Sequence, residues 1–396
     1  MLEALKKEVC ASVDRLAGEL LAVSHEIHAH PELAFEEVRA SARLAETARG
    51  HGLEARQNAY GLATAIEARF GAAGPTVALL SEYDALPGIG HACGHNIIAT
   101  TALGAALALA ELGARLPGRV RWLGTPAEER GGGKELMARS GAFDGVDAAL
   151  MVHPAGVNLA TMPCLAIAEL EVTYFGVASH ASAMPERGVN ALDALVLAYQ
   201  AIAALRQHIR PTERLHGIIT DGGQAPNIVP ERAAGRFYVR AADAGALAAL
   251  KTRVEGCFRA GADATGARLE LVWGEVDYLD LDTSWPLARR YQENAEALGR
   301  AFFPFDKLPP GMQGSTDMGN VSQRVPSIHP MIASSPPDVS IHNPEFARWA
   351  ASELGDRAVV DGAKALAMTA LDFMCDPGLR DEVARAFAAA QRARQP

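Results

Sequence analysis

The sequence predicts an α/β fold with a mixed, mostly parallel sheet, interrupted by an inserted ferredoxin-like α+β domain. Three observations carry that prediction. Before residue 166, short all-apolar runs alternate with helical stretches, as expected of strands buried on both faces by covering helices. Beyond Ala166 the texture changes to half-solvated strands in the order β-α-β-β-α-β, the split βαβ plan. At 396 residues the chain is also long for one hydrophobic core, so two domains are expected.

Taken in order, apolar positions at helical spacing run from residue 3 to 29, and His30-Pro31-Glu32 ends them. Thr76 to Leu80 is a strand, and a turn-rich loop from Asp84 to His95 follows it, punctuated by Pro87, Gly88, Gly90 and Gly94. Ile97 to Leu112 reads as an alanine-rich helix. Arg119 to Leu123 and Ala148 to Val152 are the next strands, delivering Glu128-Glu129 and His153 to strand ends, where open sheets bind ligands. In the inserted segment Glu169 to Phe175 alternates like a strand. Asn190 caps a helix reaching His208, with Leu192, Leu195, Tyr199, Ile202 and Leu205 along one stripe. Gly217 to Thr220 and Gly235 to Arg240 are strands, a helix covers 244 to 260, and Arg268 to Trp273 closes the set. The acidic stretch Glu275 to Asp282 reads as the return linker. The expected domains are therefore 1–166 with 280–396, and the insertion 167–279.

Bulk properties narrow the function. Hydrophobic residues make up 49% and charged residues 21%, ordinary for a soluble enzyme. A formal charge of −10 with no basic block argues against nucleic acid or an anionic membrane as partner. Five scattered cysteines, odd in number, are no disulfide framework and point to a reducing, cytoplasmic setting. The first residues lack the apolar core of a signal peptide, and nothing later approaches eighteen uninterrupted apolar residues.

Chemistry concentrates in two fragments. Gly90-His91-Ala92-Cys93-Gly94-His95-Asn96 places a thiol and an imidazole in a glycine-punctuated loop, and Gly124-Thr125-Pro126-Ala127-Glu128-Glu129 ends an apolar strand with adjacent carboxylates. Sulfur, nitrogen and oxygen donors together suit a catalytic transition-metal site, since structural sites usually close with Cys and His alone. Adjacent glutamates before Gly131-Gly132-Gly133 can divide the work between binding metal and moving protons.

With these motifs and the insertion, the chain resembles metallopeptidase family 20, which includes carboxypeptidase G, aminoacylase-1 and the indole-acetyl-amino-acid hydrolases. The resemblance spans nearly the whole chain. It is nearest the branch of aminobenzoyl-glutamate hydrolase and the β-alanyl-lysine dipeptidase-like proteins, through Ser81 to Pro87, the His91 to Asn96 loop, Gly141 to Asp147 and Gly314 to Ser322. It implies a metallopeptidase catalytic domain with an inserted lid and dimerisation domain, and two divalent ions per subunit. Zinc is favoured by the thiol, with manganese, cobalt or nickel also suited. On the family pattern Cys93 bridges the ions, His95, Glu129, His153 and His342 complete the ligands, Glu128 is the general base and Asp84 orients a ligand. The chain departs from the family in having Glu82-Tyr83-Asp84 where many relatives have His-x-Asp, so His95 must supply that imidazole. It also has Asn96 where Asp is usual.

In the insertion, His180 is the family's group for the substrate carbonyl, often across a dimer interface, and Asn227 with Arg240 matches its pair for the substrate carboxylate. The planar fork of Arg suits that role. The resemblance implies hydrolysis of the amide between an acyl group, or N-terminal residue, and a C-terminal amino acid with a free carboxylate, by a cytoplasmic homodimer. Two other readings are weighed. Thiol catalysis by Cys93 with His95 is poorly served by two residues in one tight loop. A non-catalytic small-molecule binding protein on a degenerate hydrolase scaffold would lack the base, yet Glu128 is present.

Overall fold

The computed structural model describes residues 1–308 and 313–394. The chain divides into two compact units, Met1–Pro163 with Leu281–Pro396, and Cys164–Asp280.

The first unit opens with helices α1 (Leu2–Ala29) and α2 (Val38–Gly50), then strands β1 (Arg56–Gln57), β2 (Ile66–Phe70) and β3 (Thr76–Glu82). Helix α3 (His95–Ala110), β4 (Arg119–Thr125), α4 (Gly133–Arg139), β5 (Ala148–Leu150) and β6 (His153–Ala155) complete its first segment. The second unit holds β7 (Ala166–Phe175), α5 (Ala191–Arg206), β8 (Arg214–Asp221), β9 (Arg232–Ala241), α6 (Ala244–Thr265) and β10 (Arg268–Trp273). After it come α7 (Trp285–Ala297), α8 (Met318–Ser322), β11 (Ser327–Ile328), β12 (Met331–Ala333), α9 (Pro344–Trp349), α10 (Glu353–Cys375) and α11 (Pro377–Arg394).

The main sheet runs β1-β2-β4-β3-β5-β11. It is parallel from β4 to β11 and antiparallel at its β1-β2 edge. That edge was not anticipated, because Ile66–Phe70 carries Glu67 and Arg69 and lacks an apolar run. Strand β3 is buried on both faces: Val77 and Leu79 join the core built with α1, α3 and α10, while Ala78 and Leu80 pack with Leu123, Met137 and Phe143. The expected strand from Ala148 to Val152 is cut short. β5 stops at Leu150, Met151 N donates to Ile328 O, and His153 starts a separate two-stranded ladder with β12. Pro154 follows His153 and has no N–H to continue the main ladder.

Helix α3 lies at the middle of the first unit and is buried from His95 to Leu109. Its alanines leave room for neighbouring backbones. At Gly104 a Cβ would meet Leu20 Cδ1 of α1 at 2.7 Å and Ala363 Cβ of α10 at 3.0 Å. That close approach favours glycine, since any side chain must displace Leu20 and press on Ala363.

The second unit is a four-stranded antiparallel sheet in the order β10-β7-β9-β8. Its core joins Leu170, Val172 and Tyr174 of β7 to Leu195 of α5 and Phe258 of α6. Asn190 caps α5 as expected, its side chain accepting from Leu192 N and Asp193 N. The boundaries at Cys164 and Asp280 take in a bridge between Ile167 and Tyr278, which joins the entering and leaving chains.

Gly104→Val should destabilise the protein by about 1–3 kcal/mol, because a well-packed core cannot absorb the added methyls without strain. Urea titration would read this as a lower midpoint at unchanged slope.

Candidate metal centre

The predicted residues of the first unit converge at the carboxyl ends of β3 and β4. β3 ends at Glu82, and Asp84 follows it. Gly94 precedes α3 with φ of 77°, and a Cβ there would lie 2.5 Å from Pro154 Cγ, so the glycine between Cys93 and His95 is dictated by space and conformation. Past β4 the chain turns through Ala127, at φ of 60°, and presents Glu128 and Glu129. Ala127 N is held at 2.8 Å by buried Glu37, whose carboxyl burial raises to about 7. His342 also has positive φ, and its N–H donates to Ala92 O at 2.8 Å, tying its loop to the Cys93 loop.

The side chains then meet. His95 Nδ1 lies 3.0 Å from Asp84 Oδ1, and His153 Nδ1 lies 2.8 Å from Pro154 O. Each contact fixes Nδ1 as the donor and leaves Nε2 as the inward-facing lone pair. His153 Nε2 is 3.3 Å from Cys93 Sγ. His95 Nε2 is 3.7 Å from Glu129 Oε1 and 3.8 Å from Glu128 Oε2, and His342 Nε2 is 3.6 Å from Glu129 Oε1. Asp84 also accepts from Glu129 N at 2.9 Å, so one carboxylate aligns both the imidazole and the glutamate loop.

Three residues at this end were missed by sequence reasoning. Glu82 Oε2 stands 3.6 Å from His95 Nε2. Lys134, fully buried, contacts Glu82 and lies 2.6 Å from Asp317 Oδ1, while its backbone N–H reaches Asp317 Oδ2 at 2.8 Å. Gly133 before it passes so close to the Pro126 carbonyl that a Cβ would overlap the oxygen. His329, also fully buried, lies against His153 with ring centroids 5.4 Å apart and planes tilted by 42°. The Gly131-Gly132-Gly133-Lys134 run was the available signal for Lys134.

Electrostatically the cluster is overloaded with negative groups. Burial pushes the Glu128 carboxyl well above the carboxylate range, and the charges of Glu82 and Glu129 push the same way. Burial and Glu129 hold the Cys93 thiol well above its ordinary value. Burial, then His329, lowers His153. Burial opposes the charge on Lys134, but Asp317 and Glu82 outweigh it and raise its pKa.

A cation fits this donor set. His95 Nε2 and Glu129 Oε1 are buried without hydrogen-bond partners. Cys93, His95 and His153 form one group, and Cys93, Glu129 and His342 another, in each of which the ligand atoms lie within 4.8 Å of one another. The groups share Cys93. Orphaned buried polar atoms and crowded like charges are costly alone and are relieved by positive ions.

The remaining candidates belong to the second unit. His180 and Asn227 are neighbours there, with Ala181 N donating to Asn227 O at 3.0 Å and a bridge between His180 and Ile228. Arg240 pairs with Arg214 near the far end of β9, whereas the Asn227 turn precedes Arg232 at its start. Eight residues of strand separate those ends by about 26 Å. Arg240 Nε is buried without a hydrogen-bond partner.

Comparison with known proteins accords with the geometry. The model of peptidase family M20/M25/M40 matches residues 78–372. An Xaa-Arg dipeptidase from Mus musculus is 43% identical over 98% of this chain and 93% of its own length. A p-aminobenzoyl-glutamate hydrolase component from Escherichia coli is 37% identical over 55% of this chain and 50% of its own. Among solved structures, a dinuclear metal binding peptidase of the M20 family from Bacillus subtilis shares the fold, with a TM-score of 0.69 at 21% identity, covering 91% of this chain and 99% of that one. The chain belongs to peptidase family M20/M25/M40 and is an amide-bond hydrolase of the branch its motifs indicate.

Proposed function

We propose that this enzyme cleaves the amide bond between an acyl group or N-terminal residue and a C-terminal amino acid bearing a free carboxylate, using two divalent cations. The observation that carries this reading is the pair of donor groups sharing Cys93. Cys93, His95 and His153 would hold one ion, and Cys93, Glu129 and His342 the other, with zinc favoured by the thiolate and manganese, cobalt or nickel as alternatives. When bound, the ions polarise the scissile carbonyl and acidify a water. Glu128 takes the proton of the attacking water and returns it to the leaving amine. Asp84 keeps His95 in the tautomer whose Nε2 faces the donors. Thiol catalysis would leave the convergence of His153, Glu129 and His342 on Cys93 without a role.

For the substrate, Arg240 is the carboxylate reader. Its half-buried guanidinium has an unpartnered Nε, which an anionic acceptor would satisfy. The names of the mouse and Escherichia coli relatives describe amides of α-amino acids. Dipeptides ending in arginine are the first substrates to test. The second unit is read as lid and dimerisation domain. Edge strand β8 exposes Ile218 at 64% and Ile219 at 42%, an unpaired apolar edge suited to pairing with a second copy. The distance between Arg240 and the His180–Asn227 turn also favours a shared site, with the two groups supplied by different protomers. A cytoplasmic setting is supported by the five free cysteines.

Chelation should abolish hydrolysis, with recovery on adding divalent ion, and Glu128→Gln should lower kcat by about 10²–10⁴ with metal content unchanged. Loss of metal in that variant, measured by elemental analysis, would instead make Glu128 the ligand. Arg240→Ala should cost about 10²–10³ in kcat/KM on substrates with a free acid and little on their C-terminal amides. Equal losses on both forms would assign Arg240 to the fold. Mixing His180→Ala with Glu128→Gln subunits under exchange conditions should restore part of the activity; none would return if each protomer's site were self-sufficient.

A further inference from the structure

Glu82, His95 and Glu128 form a third donor group, with ligand atoms within 4.8 Å of one another. Both Glu82 Oε2 and His95 Nε2 are fully buried and lack hydrogen-bond partners, and they face each other at 3.6 Å. By distance alone Glu82 is placed as well as Glu129, which lies 3.7 Å from the same nitrogen. An imidazole nitrogen binds one metal at a time. An ion taking His95 into this oxygen-rich group would therefore leave the Cys93–His153 group incomplete, and it would engage Glu128, removing the base. The two positions are mutually exclusive.

What distinguishes them is Lys134. Its ammonium rests against Glu82, is backed by Asp317 at 2.6 Å, and is fully buried with both partners. A divalent ion at the Glu82–Glu128 position would face this fixed positive charge at close range and low effective dielectric. Among the described residues the ion pairs of Lys134 are with Glu82 and Asp317, neither of which belongs to the Cys93-centred groups. We propose that Lys134 is a positioning residue that sets the register of metal binding, excluding cations from the Glu82–His95–Glu128 pocket so that they load onto the Cys93-centred groups. This rests on the metal-hydrolase reading above.

Cobalt(II) titration tests it through the thiolate-to-cobalt charge-transfer band, which reports ligation by Cys93 and not activity. Wild type should show the band from the first equivalent. Lys134→Met should lose most of it at the first equivalent, as the ion enters the oxygen-rich pocket, and Glu82→Gln added to Lys134→Met should restore it. A general gain in affinity from removing one positive charge would leave the band intact, so a folded Lys134→Met protein with a full band overturns the proposal. Glu82→Gln alone should keep the wild-type band and stoichiometry. A changed band or a lost ion in that variant makes Glu82 a native ligand and overturns the proposal even if Lys134→Met does not fold. Absence of any cobalt binding by wild type would refute the metal reading itself.

Discussion

The constraint on which the rest of the first unit depends is the burial of like charge. Glu82, Asp84, Glu128 and Asp317 are almost wholly removed from water, Glu129 is nearly so, and Lys134 lies among them. Carboxylates crowded in this way repel one another strongly unless protons or cations intervene. The surrounding structure must hold them against that repulsion. It does so with parallel strands anchored on both faces, with α3 buried along nearly its whole length, and with backbone donors spent on single carboxylates, as at Asp84 and Glu37.

The same constraint accounts for the loop conformations. Ala127 and His342 both take positive φ, a costly choice for residues with side chains. Each is pinned by a specific partner, Glu37 at Ala127 N and Ala92 O at His342 N. The strain is local and its benefit is direction: the turn at Ala127 aims the following glutamates back toward His95.

Much of this was legible in the sequence. Apolar runs located β3 and β4, the Asn190 cap located α5, and the alternation after Ala166 located the antiparallel sheet, because each signal is local and has a period. Cys93, His95, Glu128, Glu129 and His153 were legible as a cluster because glycines and strand ends bracket them. What could not be read depends on partners distant in the chain. Glu82 looks like a strand-end acid and Lys134 like a helix-start lysine until β3, α4 and Asp317 are brought together. The break at Met151 depends on where β11 stops, and β1, a two-residue polar edge strand, and β2, paired between it and β4, have no apolar run of their own.

The ion pair of Lys134 with Asp317 has a consequence in time. The two residues are 183 positions apart, with all of the second unit between them. At ribosomal speeds Asp317 emerges roughly 10–40 s after Lys134. Throughout that interval Lys134 has Glu82 as a partner but not Asp317, and the His342 loop is still unmade. The second unit has its own core and is free to fold meanwhile. The end of the sheet that carries Lys134 and the Glu128–Glu129 turn is thus completed late, by the returning chain.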